Sequence, residues 1–399
     1  MWLSGLLKPY FYTYVFEFDI VALAMIIALF DILFQISVNK VVINQLSFNI
    51  LLLILIFYLW IVLTFTYSPS DTYKYEKSGN LIANLIFFLY PLYIRKIDFN
   101  IIIRLYSIII LPLAVFSIYM MSIVWKIESD ATNTFQEMGF NYLALGFHLG
   151  VLLLLLIYFK KHIYLIAITF LLLLGSAARG SIIFIFLILG ISYIRKLFSI
   201  KITARELIYA GIGIGFSIIL LITFYDDFSP LFERTILRFQ SMESGVDNSV
   251  TVRKELMKFA FYQPFDSYIT IIFGNGIGSF GVILNQIDAR AYPHNVFLEI
   301  FFELGLIGLG SFLSILIFIF VKFPINKGIF FTLFLFALLD SLKSSSLVDL
   351  WLLFAFIGGI VANQKSVKRL IKRNYSLSQK SNSPLFKSSI QLDLRHNKD

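Results

Sequence analysis

A chain of 399 residues that is 59% hydrophobic and only 14% charged, with a mean hydropathy of +0.84, lies outside the range of soluble globular domains. It has no cysteine, which excludes disulfides, thiolate chemistry and cysteine-based metal sites. The net charge of +9 is concentrated in a serine-rich tail after Gln364, which reads as a cytoplasmic anchor beside anionic lipid; without aromatic-basic interleaving it excludes a nucleic-acid role.

Apolar stretches recur from Ile20 to Val361, many near the ~20 residues that cross a bilayer as a helix. Backbone polar groups must be paired in lipid, which leaves helices or a closed barrel. The runs are continuous rather than alternating, so the expected fold class is an all-α polytopic membrane protein. Hydropathy predicts about eleven spans (10–12), at 15–36, 47–66, 80–95, 103–124, 141–159, 162–177, 180–195, 206–225, 296–321, 326–341 and 347–362. The first reads as a retained span, because no basic start and no cleavage site precede it. The organisation is then eight spans in 1–225, a large external loop in 226–295, three spans in 296–362 and a basic tail in 363–399.

Orientation follows from the basic loops. Arg95, Lys96 and Arg104, then Lys160 and Lys161, then Arg195, Lys196, Lys201 and Arg205 mark the cytoplasmic side, with Lys322 and Lys327 on the same side by parity. The long loop, the 125–140 loop, the turn at Arg179 and the amino terminus come out external. The sixth and seventh spans are short, rising about 24 Å against a ~30 Å core, so the turn Gly175-Ser-Ala-Ala-Arg-Gly180 is expected to dip into the membrane with Arg179.

Within the long loop, the pattern around Leu231 to Phe239 predicts one amphipathic helix and Val250 to Phe261 a second, capped by Asn248 or Ser249. Gly274-Asn-Gly-Ile-Gly278 has the outline of a dinucleotide fingerprint, but it leaves G-x-G-x-x-G incomplete and no βαβ unit surrounds it.

Few residues are equipped for chemistry. Of the four histidines, His396 is in the tail, His162 in a cytoplasmic turn and His148 inside a span. His294 joins the long loop to a membrane helix, where imidazole can take a proton from an attacking hydroxyl; the plainer reading is an interfacial helix cap shared with Asn295. Arg179, Arg253 and Arg290 fall on the same side. Converging guanidinium groups suit a diphosphate, while singly each also reads as a snorkelling or solvated side chain. Glu299 and Glu303 lie one turn apart on one helix face, either supporting the histidine and sugar hydroxyls or pairing inside the bundle. Gly305, Gly308 and Gly310 read as close-packing positions. Glu17 and Asp19 fall on different helix faces, which argues against a metal site, and no other cluster has metal spacing.

The segment Pro293-His-Asn-x-x-Leu-Glu-x-x-x-Glu303-x-Gly-x-x-Gly308 resembles the shared core of the bacterial O-antigen ligase and polysaccharide polymerase family. Gly175 to Gly180, Arg253, Phe273-Gly-Asn-Gly-Ile-Gly-Ser-Phe280 and Tyr67-Ser-Pro-Ser-Asp-Thr-Tyr73 with Lys77 look like further pieces in the expected order, over about residues 60–320. The resemblance implies a metal-independent transferase without cofactor that moves glycan from an undecaprenyl diphosphate carrier to an acceptor hydroxyl. It implies a place in the bacterial inner membrane with the site facing outward, with membrane lipid and a chain-length regulator as candidate partners. Carried over, His294 is the essential polar residue, with Arg179 and Arg253 at the diphosphate; Arg290 is added from the residues alone. An odd number of spans departs from the family's even topology. A polymerase extending another carrier-linked unit is preferred to a ligase acting on lipid A-core. The alternative of another class is a lipid or solute transporter, for which no repeated halves are visible.

Overall fold

The computed structural model describes residues 2–4, 6–8, 19–38, 45–93, 97–127, 141–176, 178–198, 248–323, 328–343 and 345–363, and within them all regular structure is helical. In chain order the α-helices are α1 (Ile20–Val38), α2 (Gln45–Thr64), α3 (Tyr73–Tyr93), α4 (Phe99–Ile127), α5 (Tyr142–Tyr158), α6 (Ile163–Gly175) and α7 (Arg179–Phe198). There follow α8 (Asn248–Tyr262), α9 (Tyr268–Phe273), α10 (Ser279–Asn285), α11 (Val296–Lys322), α12 (Ile329–Ser341) and α13 (Trp351–Asn363). Single 3₁₀ turns, Gln263–Asp266 and Leu347–Asp349, precede α9 and α13.

Four of these helices are long and apolar enough to cross a membrane: α1, α2, α4 over Phe99–Met121, and α11. The shorter apolar helices are α5, α6, α7 over Arg179–Gly190, α12 and α13. The outer helices keep large apolar side chains outward, such as Phe30, Leu59 and Ile108. α5 has the reverse character. Leu145 and every residue from His148 to Leu156 are buried, as expected of a helix that is apolar all round and packed at the centre of a bundle. Its start is set by Asn141, whose side chain accepts from the backbone N–H groups of Leu143 and Ala144.

The helices alternate in direction, so the starts of α1, α3, α5, α7 and α13 and the end of α12 meet at one end of the bundle. Val21, Glu76, Asn141, Ser181, Asp340 and Leu350 from these six termini line a single cavity. Lys160, Lys161 and Lys322 lie at the opposite end, where Lys161 Nζ donates to Asn100 Oδ1 at 2.7 Å.

Several sequence-based boundaries shift. The third helix begins at Tyr73 rather than 80, because Lys77, which lowers the local hydropathy, is neutralised inside the protein. The seventh is short in its apolar part, Arg179–Gly190, but the helix itself is longer. It runs 20 residues, about 30 Å, through Arg195 and Lys196, since strong helix formers extend it past the apolar run. The sixth has 13 residues, about 20 Å. Gly310 has open space where a Cβ would stand, so it is no packing position. The predicted span at 206–225, the helix around Leu231 to Phe239, Glu17 and the basic tail lie outside the described residues.

Candidate functional site

The site end of α11 is built by its first two turns. Asn295 is the helix cap, accepting from the N–H groups of Phe297 and Leu298 at 3.0 and 3.1 Å, while its own Nδ2 donates to the Leu342 carbonyl at 3.0 Å. His294 is not a cap. It has φ +58°, in the left-handed region that few side chains adopt, and this turns the chain from Pro293 into the helix. Its ring lies against Tyr292 with centroids 4.5 Å apart. Among the described residues the imidazole makes no hydrogen bond.

Two guanidinium groups act on that imidazole. Arg290 lies in the same loop, half-exposed, with its guanidinium 5.4 Å from the Tyr292 ring centre and Nη2 donating to Asp349 at 2.9 and 3.1 Å. Asp349 is itself held by the Ser346 N–H in a capping box. Arg253 comes from α8, whose Leu256, Phe259 and Ala260 pack with Phe280, Phe302, Ala291 and Leu298. Arg253 shares a helix face with Leu256 and Ala260, so that packing carries it to Tyr292 and His294. Desolvation, then Arg253, then Arg290 push the His294 pKa down to about 4, so the ring is neutral at physiological pH.

Arg179 is placed differently. It opens α7, half-buried, while its neighbours Ala178, Gly180 and Ser181 form one wall of a cavity of about 620 Å³. Arg290, Tyr292 and Asp349 line the same cavity; Arg179, Arg253 and His294 do not. Glu76, Asn80, Asn141, Lys343, Trp351 and the buried His148 complete a lining that is polar, aromatic and of both charge signs. The volume falls within the ~300–1,000 Å³ typical of small-molecule sites.

Glu299 and Glu303 turn away from the histidine. Lys77 Nζ donates to both, at 2.7 and 2.8 Å to the two oxygens of Glu303, and all three side chains are wholly buried. Glu299 also accepts from Ser346 Oγ and the Leu347 N–H, both at 2.8 Å. The interior-pair reading therefore describes these residues, with Lys77 as the partner, and they fasten α3, α11 and the 345–349 segment together.

The early loop and the glycine-rich loop also meet. Ser68 Oγ donates to the Ile277 carbonyl at 2.7 Å and Tyr67 OH to that of Phe273 at 2.6 Å. Asp288 accepts from Ser70 Oγ, Thr72 Oγ and the N–H groups of Asp71 and Thr72. Desolvation pushes the Asp288 carboxyl up, but these hydrogen bonds outweigh it and hold it well below the usual carboxylate range. This clamp fixes the loop that carries Arg290. Gly274 and Gly305 have φ of +81° and +64°, and a Cβ on either would press into the other segment's backbone at 2.4 Å. The glycine cluster is thus a backbone contact against α11 and not a nucleotide cradle.

Sequence reasoning missed the roles of Lys77, Asp288 and Asp349. Lys77 and Asp288 pair with residues more than two hundred positions away, which no local pattern records. Only Asp349 left a signal, the Ser346-x-x-Asp349 spacing of a capping box. Among the described residues no group of three or more histidines and acids is arranged to hold a metal ion; Asp19 instead caps α1 and pairs with Lys8. Comparison with known protein families and with curated proteins gives no match to this chain.

Proposed function

We infer that this protein is a polysaccharide polymerase of the cytoplasmic membrane, transferring glycan from an undecaprenyl diphosphate carrier to a sugar hydroxyl of another carrier-linked unit. The observation that carries the reading is the juxtaposition of a neutral, unpartnered imidazole with two guanidinium groups at one end of a helical bundle. In this reading about eleven helices span the membrane. The Lys160, Lys161 and Lys322 end faces the cytoplasm by the positive-inside tendency, and the His294 end faces outward.

The chemistry follows from the residues. The acceptor oxygen attacks the anomeric carbon as the bond from that carbon to the diphosphate oxygen breaks, and the diphosphate leaves with the electron pair. Its growing negative charge needs fixed positive groups, which Arg253 and Arg290 supply; Arg179 does not line the cavity and is given no part in this step. His294 takes the acceptor's proton. A histidine held near a pKa of 4 is a weak base: desolvation is the largest cause, and the two arginines that bind the donor in this reading add to it. Seating a diphosphate between them offsets their charge and raises the basicity of the ring by the share they contribute, while the desolvation stays. The imidazole is thus a stronger base with the donor in place than without it.

The test is the glycan profile of a deletion strain. Loss of long chains with single repeats still attached supports the polymerase. Absence of glycan on lipid A-core with polymer retained on the carrier indicates the ligase instead, and an unchanged profile removes both.

A further inference from the structure

The connection between α8 and α11 exposes large apolar side chains that the transfer reaction does not use. Phe261 and Tyr262 end α8, Phe265 follows in the 3₁₀ turn, and α9 presents Tyr268, Ile269 and Ile272, with Tyr268 86% and Ile269 68% exposed. A contiguous patch of this kind on a connecting segment marks an interaction surface.

Two observations identify what covers it. The first is depth. The Asn275 N–H and Nδ2 donate to the Phe302 carbonyl at 2.9 and 3.0 Å, and the Gly276 N–H to that of Glu303 at 2.8 Å. Trp60 lies against Phe273 with ring centres 5.9 Å apart and donates to the Leu304 carbonyl at 2.8 Å, an acceptor freed by the kink at Gly305. Leu304 is about 12 Å along α11 from its first residue, and Trp60 about 6 Å inside the end of α2. α9 is therefore fastened to the flanks of two helices long enough to span, inward of their ends. The second observation is continuity. At this level the same two helices expose Leu59, Val62, Leu63, Leu306 and Ile307, the surface that faces lipid when they cross a bilayer.

We propose that residues 261–273 lie in the headgroup–acyl boundary of the membrane, with Tyr262 and Tyr268 among the headgroups and Ile269 and Ile272 against acyl chains. Tyrosine favours that boundary because its ring is apolar and its hydroxyl polar. Gln263, Asp266 and Ser267 interrupt the apolar run, which fits an interfacial depth and excludes the hydrocarbon centre. The inference rests on the spanning character of α2 and α11 and is independent of the transfer reaction. It anchors the segment carrying Arg253 at the membrane surface.

The chain has no cysteine, so single cysteines can be introduced directly for labelling. Ile269→Cys, Ile272→Cys and, as a solvent control, Lys258→Cys are coupled to an environment-sensitive fluorophore in nanodiscs of mixed neutral and anionic lipid. A nitroxide near the lipid carbonyl is expected to quench the labels at 269 and 272 several-fold more than the label at 258, and aqueous iodide the reverse. Labels at 269 and 272 as open to iodide as that at 258 overturn the proposal. So does shielding from both quenchers, which would mean that a second copy of the chain covers the patch.

Discussion

Replacing Lys77 with methionine keeps the length of the side chain and deletes its charge. In the native protein the ammonium donates to Glu299 and to both oxygens of Glu303, and no part of the three side chains reaches solvent. The substitution leaves two carboxylates in a dry site with only the Ser346 hydroxyl and the Leu347 N–H to stabilise Glu299. Breaking a buried ion pair by removing one partner costs about 3–5 kcal/mol, because the remaining charge has no compensation. At a few degrees per kcal/mol, that corresponds to a fall in Tm on the order of 10 °C. The assay is a thermal scan of tryptophan fluorescence in nanodiscs at a fixed heating rate, since such bundles unfold irreversibly. Lys77→Met combined with Glu299→Gln and Glu303→Gln is expected to recover most of the loss. A single variant that melts with the native protein would refute the argument that this triad joins α3 to α11.

Further predictions concern the loops and the titrating groups. Gly305→Ala places a Cβ 2.4 Å from the Ile272 carbonyl oxygen at a positive φ, and is expected to destabilise by about 1–3 kcal/mol and detach α9, read as faster proteolysis after Tyr262. Asp288 has a folded pKa below its unfolded value, so its stabilisation is present above about pH 4 and is lost as the pH falls further. Asp288→Asn should flatten the acid limb of the melting curve. His294 titrates near 4 when folded and near 6.5 when unfolded, so stability declines as the pH drops from about 6.5 to about 4 and is level below; NMR of labelled histidine checks the folded value, and a midpoint near 6.5 would contradict it. Arg253→Lys should lower the transfer rate without lowering Tm, because a point charge does not replace a planar fork.

Much of the fold was legible because lipid imposes a strong pattern. Runs such as Leu51 to Leu63 and Leu149 to Ile157 announce helices without knowledge of their neighbours. The start of α3 was hidden because hydropathy counts Lys77 as charged, whereas Glu299 and Glu303 neutralise it from far along the chain. The site was partly legible. His294 stood out as a titratable group beside a membrane helix, and Arg253 and Arg290 by their place in the long loop. The distinction between Arg290, which lines the cavity beside Tyr292, and Arg179, whose neighbours form another wall, depends on packing between α7, α12 and α13. The glutamates were legible as a pair but not as a pair with Lys77. Their helix spacing showed a shared face, and only the fold shows what that face meets.

The most direct measurement is the extent of polymer made from carrier-linked repeat units by purified His294→Ala protein, alongside native protein of equal Tm. Loss of chain extension is expected, with the diphosphate-linked donor still bound through Arg253 and Arg290. Normal chain-length ladders from the variant would show that the imidazole takes no part in the transfer.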